Sequence, residues 1–311
     1  AAGRCFDRAI ELAPEDPEAI WQRFFLRALT GDFPGAWADY ECRFQLTGRT
    51  TPDPQFLQPR WTGDPMPGQT LLLHAEQGFG DTLQMLRYLP RIAMRVGRVQ
   101  LFAPRSLLPL LENVPSLNEV FPRLPKTPTA DFHLPLMSLP GVFGDSLETF
   151  PNETPYLKAL PGDPVLPPKQ GTRPRVGLAW RGSGSQPLDR RSLPVEALAA
   201  LREAEVDWFS LQPEGSAPVG FTDLSAQLMD FGATARVMDE LDLVVSVDTA
   251  AAHLAGALGR PTWLLLSFAP DWRWMWTGET SPWYPNMQLF RQNQNEDWRP
   301  LIRRVLQALQ S

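Results

Sequence analysis

Residues 241–266 read LDLVVSVDTAAAHLAGALGRPTWLLL, and the reading of this stretch decides the fold. The run from Leu243 to Val247 is apolar and rich in β-branched residues, the composition of a parallel strand covered on both faces. The Ala-rich segment after Thr249 suits a helix packed closely on a sheet. Asp248 and Thr249 fall in the turn between them, where a helix offers unpaired N–H groups and the positive end of its dipole, suited to an anion such as a diphosphate. Ligands of open α/β sheets collect there, outside the carboxyl ends of strands. The competing reading is that Asp248 and Thr249 only cap the helix. His253, one of three histidines, sits one turn further in and at the offset that faces the same mouth, which favours a ligand role.

Composition sets the limits around this stretch. The chain has 311 residues, 43% of them hydrophobic, enough for two domains with their own cores. A formal net charge of −6 argues against a general nucleic-acid or anionic-membrane binder, so any phosphate binding is local. Cys5 and Cys42 are far apart in segments that read as helices, which excludes a disulfide framework and makes a reducing, cytoplasmic setting the expectation. No apolar run approaches the roughly 20 residues of a membrane span. The opening Ala1-Ala2-Gly3-Arg4 carries neither an initiator Met nor a signal pattern, as expected of a fragment of a longer polypeptide.

Three blocks follow along the chain. In residues 1–47, Ala2, Phe6, Ala9 and Pro14 follow the second-helix pattern of a tetratricopeptide repeat, and Ala36 and Tyr40 recur 34 residues after Ala2 and Phe6. Pro17 opens the intervening helix and Thr30-Gly31-Asp32-Phe33 closes it; a plain helical hairpin is the alternative. Prolines 52, 54, 59, 65 and 67 mark a connector over residues 48–68. Strands are predicted at 70–74, 99–102 and 132–134 in a block reaching residue 165, with a helix through Leu83, Leu86, Leu89 and Ile92 and a shorter one at 107–111. The proline-rich passage 161–174 reads as an interdomain linker. In residues 166–311, strands at 176–180, 208–211, 243–247 and 262–266 alternate with helices at 195–203 and 234–239. Such alternation predicts two Rossmann-like α/β halves with parallel sheets.

Several polar clusters stand at strand ends. Gly78 and Gly80 allow a tight turn before Asp81, but Leu83 replaces the third glycine of a dinucleotide fingerprint. Asp81 reads either as a helix cap or as a general base. Trp180-Arg181-Gly182-Ser183-Gly184-Ser185, followed by Asp189-Arg190-Arg191-Ser192, offers backbone and guanidinium donors to phosphate, or else a solvated charge pair. Gln212 and Glu214 are candidates for a base or ribose, or an ordinary polar loop. Asp271-Trp272-Arg273-Trp274-Met275-Trp276, with Trp283 and Tyr284 beyond, suggests an aromatic seal between domains ahead of a sugar platform. His74 and His133 read as isolated structural residues. Metal-ligand spacings and a Gly-x-Ser-x-Gly elbow are absent.

Three segments, 71–82, 176–180 with Arg191-Ser192, and 245–255, resemble the family 9 glycosyltransferases, the heptosyltransferase-like group. The chain looks like the bacterial proteins in which tetratricopeptide repeats precede such a domain. The resemblance spans roughly residues 70–295 and implies a GT-B fold, two Rossmann-like domains facing across a cleft, with a nucleotide-sugar donor, inversion at the anomeric carbon and no metal or other cofactor. It assigns Asp81 as catalytic base. It assigns the donor to Gly78, Gly80, Trp180, Arg191, Gln212, Asp248, Thr249, Ala250 and His253. Ala250 stands where many heptosyltransferases carry glycine, and Gln212 lies near the usual ribose-binding acid. The repeats imply an acceptor protein, with a saccharide acceptor as competitor. A non-catalytic scaffold with a degenerate transferase domain and a sugar-nucleotide epimerase are the alternative functions.

Overall fold

The computed structural model describes residues 2–47, 54–126, 128–169, 171–182, 189–293 and 297–310. The chain forms two compact units. One comprises Ala1–Pro104, Pro115–Pro151 and Asp271–Thr277, the other Arg105–Val114, Asn152–Pro270 and Gly278–Ser311.

The first unit begins with helices α1 (Ala2–Leu12), α2 (Pro17–Thr30) and α3 (Phe33–Tyr40). The Asp16 side chain caps α2 by accepting from the Glu18 amide, and Gly31 ends it at φ 88°, the left-handed geometry that glycine adopts without strain. These bounds agree with the predicted stops. Ala36 and Tyr40 are buried, whereas Ala2 is exposed and Phe6 half-buried, so the positions 34 residues apart do not share an environment. The helices also belong to the first unit and form no separate block: Trp37 is buried and donates from Nε1 to the Asp145 carbonyl at 2.9 Å.

The sheet of this unit contains β1 (Met66–His74), β2 (Val96–Phe102), β3 (Glu119–Phe121) and β4 (Phe132–Pro135), in the parallel order β3-β2-β1-β4. Leu71, Leu72 and Leu73 are all fully buried, which requires cover on both faces of β1. The strand starts four residues before its predicted start and runs through Pro67 and Gly68. A register irregularity between Met66 and Thr70 absorbs the proline. Helices α4 (Phe79–Met85) and α5 (Leu89–Ala93) follow β1, α6 (Leu108–Leu111) belongs to the other unit, and α7 (Leu139–Phe143) follows β4.

The second unit carries β5 (Arg175–Ala179), α8 (Val195–Leu198), β6 (Asp207–Ser210), β7 (Thr222–Asp223), α9 (Phe231–Asp239), β8 (Leu243–Val247), α10 (Ala250–Ala257), β9 (Thr262–Leu266), β10 (Met287–Arg291) and α11 (Arg299–Gln310). Its parallel sheet has the order β10-β9-β8-β5-β6-β7. Counted within the unit this is 6-5-4-1-2-3, the Rossmann order, with its switch point between β8 and β5. The passage 161–174 is not a linker: the Glu240 carboxylate accepts from the Val165 and Leu166 amides, and Leu166 is buried in the second unit.

Candidate functional site

In the second unit the polar residues gather at the carboxyl edge of the sheet. β8 and β5 are hydrogen-bonded neighbours, with Ser246 opposite Ala179, so the chain leaving each strand flanks the switch point. Asp248 is buried at the end of β8, and Thr249 follows as the N-cap residue of α10. The Thr249 side chain makes no capping hydrogen bond; its Oγ1 lies 3.2 Å from Ser246 Oγ. Capping by Thr249 therefore does not explain the Asp-Thr pair. Ala250 is the first residue of α10.

Arg191 reaches the same place, donating from Nη1 to the Asp248 carbonyl at 3.2 Å. Its own loop is tied down by Asp189, which accepts from the Arg191 amide and the Ser192 hydroxyl. Burial opposes the Asp189 charge, but these donors and the Arg191 guanidinium hold its carboxyl below the usual range. Gln212, after β6, is buried, and its Oε1 accepts from the Trp180 and Arg181 amides at 3.0 and 3.1 Å. Its carbonyl thus fixes the turn after β5. Trp180 is a core residue with a buried indole, so it is the Trp180 backbone that stands at the edge. Ser183, Gly184 and Ser185 lie outside the described residues.

His253 is one turn into α10 but buried, and its Nδ1 stands 2.9 Å from the Tyr284 hydroxyl. Tyr284 fits because Gly256 has no side chain: a Cβ there would lie 2.4 Å from the tyrosine ring. His253, expected to face the mouth of the turn, is a buried imidazole oriented by a tyrosine 31 residues away.

In the first unit Asp81 is the third residue of α4, with Gly78 as N-cap. Its Oδ2 accepts from the Gly78 amide at 2.7 Å, and its Oδ1 accepts from Arg273 Nη2. The carboxylate thus closes the helix start, as the capping reading expected, and also carries an ion pair. Neither Gly78 nor Gly80 has positive φ, so the turn does not need glycine for its torsions. Gly78 instead leaves room for the carboxylate, which a Cβ would approach to 3.1 Å.

Arg273, which sequence reasoning placed only in an aromatic cluster, is buried and also donates to Gln84 Oε1 and Asp271 Oδ1, each at 2.8 Å. Burial opposes its charge, and the carboxylates of Asp81 and Asp271 outweigh that cost and raise the guanidinium above its usual value. Trp272 packs 5.5 Å from the rings of Phe24 and Trp37, and Trp274 is fully buried; both indoles are structural. His74 and His133 are not isolated. They stack as a buried pair, with Nε2 of the first 3.2 Å from Nδ1 of the second. Among the described residues no group of three or more His, Cys, Asp or Glu side chains could hold a metal.

Residues 216–301 match the family described as glycosyltransferase family 9 (heptosyltransferase), a span that contains Asp248, Thr249, Ala250 and His253. Among curated proteins the chain is similar to Protein FlbA of Caulobacter vibrioides, with 28% identity over 347 residues covering 96% of this chain and 56% of that protein. It thus spans about half the length of the curated relative it matches. Among solved structures it is similar to the family 9 glycosyl transferase of Veillonella parvula DSM 2008, at 9% identity and TM-score 0.50 over 75% of this chain and 88% of that one. It is also similar to E. coli heptosyltransferase WaaC with ADP-2-deoxy-2-fluoro heptose, at 16% identity and TM-score 0.50 over 78% of this chain and 99% of that one. These likenesses show the α/β fold with parallel sheets. Over residues 216–301 the chain is thus similar to the family 9, heptosyltransferase-like glycosyltransferases.

Proposed function

From that similarity as premise, we propose that the chain moves a sugar from a nucleotide-sugar donor to an acceptor hydroxyl, with inversion and without a metal ion. The observation that carries the reading is the convergence of Arg191, Asp248 and the start of α10 at the switch point of the six-stranded sheet. Phosphate oxygens placed there meet a guanidinium and helix N–H groups together. In the reaction the acceptor oxygen bonds to the anomeric carbon, the bond from that carbon to the phosphate oxygen breaks, and the nucleotide leaves with the electron pair. The acceptor proton passes to Asp81, while Arg191 and α10 stabilise the charge on the departing phosphate. The roles of Gly78, Gly80, Ala250 and His253 are to shape and orient these groups.

The acceptor we propose is a protein, recruited by α1 to α3 as tetratricopeptide-like helices, since such repeats present concave surfaces to peptides. A cytoplasmic setting belongs to the same proposal, supported by Cys5 and Cys42, which are not joined in a disulfide. No helix among the described residues is long and apolar enough to cross a membrane. The test is release of free nucleotide from ADP-, UDP-, GDP- and CMP-linked sugars by the purified, EDTA-treated chain with a co-purified polypeptide as acceptor. Release with sugar appearing on the polypeptide supports the reading. Absence of release from every donor overturns it, and sugar isomerised without transfer identifies an epimerase.

A further inference from the structure

The segment Asp271–Thr277 follows β9 in the chain, yet it packs within the first unit, and three features of it bear on Asp81. Its third residue, Arg273, is buried and bridges Asp81 and Asp271. Gln84, fully buried on α4, turns its Oε1 to Arg273 Nε and thereby leaves its Nε2 without a hydrogen-bond partner. Exchanging the amide ends would set one donor against another, so the guanidinium dictates this orientation. A buried donor left unmet is a cost that ordinary cores avoid. Finally, Met275 holds φ 57° and ψ 173°, a strained backbone for a residue with a side chain, kept only where the surroundings over-determine it.

Those surroundings are the N-terminal helices. The Trp276 amide donates to the Leu29 carbonyl at 3.0 Å. Trp272 lies among Phe24, Phe33, Trp37 and Tyr40, and its ring carries the Arg273 guanidinium 4.2 Å from its centroid. We infer that Arg273 is the positioning residue for Asp81, and that α2 and α3 hold it in place through Trp272. The inference rests on the glycosyltransferase reading. One oxygen of Asp81 is fixed by Arg273 and the other by the Gly78 amide, so the carboxylate plane is set. Each oxygen keeps a further lone-pair site for the proton of an acceptor hydroxyl. The helices thereby act on the chemistry itself, in addition to any part in recruiting an acceptor.

The experiment compares the parent with Arg273→Gln, Arg273→Lys, Gln84→Leu, Asp81→Asn and the Asp81→Asn/Arg273→Gln double variant. Its readouts are nucleotide release from the same donor sugars, nucleotide affinity by calorimetry, and urea unfolding. Arg273→Gln is expected to bind nucleotide and show donor KM as the parent does, while kcat per nucleotide-binding site falls roughly 100-fold, the scale of a misplaced catalytic group. Arg273→Lys recovers part of that loss. Gln84→Leu lowers kcat without lowering the urea midpoint, and it carries the test with the lysine variant should Arg273→Gln fail to fold. The double variant is no slower than Asp81→Asn alone. Parental kcat per binding site in the Arg273 variants, or additive losses in the double variant, overturns the inference and leaves the glycosyltransferase reading standing. A parent that releases nucleotide from none of the donors overturns both.

Discussion

The hydroxyl of Tyr284 and Nδ1 of His253, both buried, lie 2.9 Å apart in the second unit, with the tyrosine ring against the bare face of α10 at Gly256. This contact joins the loop before β10 to α10, the helix that starts at the Asp248–Thr249 turn. Tyr284→Phe removes the hydroxyl while keeping the ring, and is expected to lower stability by about 1–3 kcal/mol, the cost of depriving a buried polar group of its partner. Gly256→Ala is expected to cost about 1–3 kcal/mol by overpacking. Urea unfolding measures both, and midpoints equal to the parent's would show that the contact contributes nothing.

Arg191 is the guanidinium at the carboxyl edge of β8. Arg191→Ala is expected to weaken binding of a nucleoside diphosphate by about 10- to 100-fold, as a charge-assisted hydrogen bond is worth about 1.5–3 kcal/mol. The urea midpoint should stay near the parent's, since the side chain is partly exposed. Calorimetry decides it: unchanged affinity removes Arg191 from the donor site.

Arg43 and Glu76 form an ion pair whose side chains are 2% and 4% exposed. Arg43 comes from the turn after α3, and Glu76 from the loop after β1. Arg43→Ala strands a buried carboxylate and is expected to destabilise the first unit by about 3–5 kcal/mol. If unfolding shows no loss, the helices are an appendage of the sheet and not part of its core.

The His74 imidazole is driven down to about 3 from 6.5 by burial, then by His133 and by the charges of Arg60 and Arg43. In the unfolded chain it takes up a proton near pH 6.5 that the folded chain refuses until pH 3, so stability is full above pH 6.5 and falls as pH drops toward 3. The slope from this one group is at most about 1.4 kcal/mol per pH unit. His74→Gln should flatten that limb in unfolding curves collected between pH 7 and 4. An unchanged limb would assign the acid sensitivity elsewhere.

Strands β1, β5, β8 and β9 and the polar turns after them were legible in the sequence because buried parallel strands are continuous apolar runs that end abruptly. The stops of α2 were legible from Asp16, Pro17 and Gly31, since caps act locally. The edge strands β3, β7 and β10 and the helix α11 were not read. β3 and β7 are only three and two residues long, and short edges carry little periodicity. The contact of His253 with Tyr284 was not legible, because Tyr284 arrives from another loop.

The sequence by itself determined the alternation of strands and helices, the two Rossmann-like sheets, and which turns carry acidic and basic side chains. These depend on local periodicity and on neighbours within a few residues. Only the tertiary structure decided that Arg273 meets Asp81 across 192 positions, that His74 stacks on His133, and that Gln212 spends its carbonyl on backbone amides. Such contacts depend on how distant segments pack, and burial then makes each partner necessary, since a charge or polar group taken from water must find its counterpart inside.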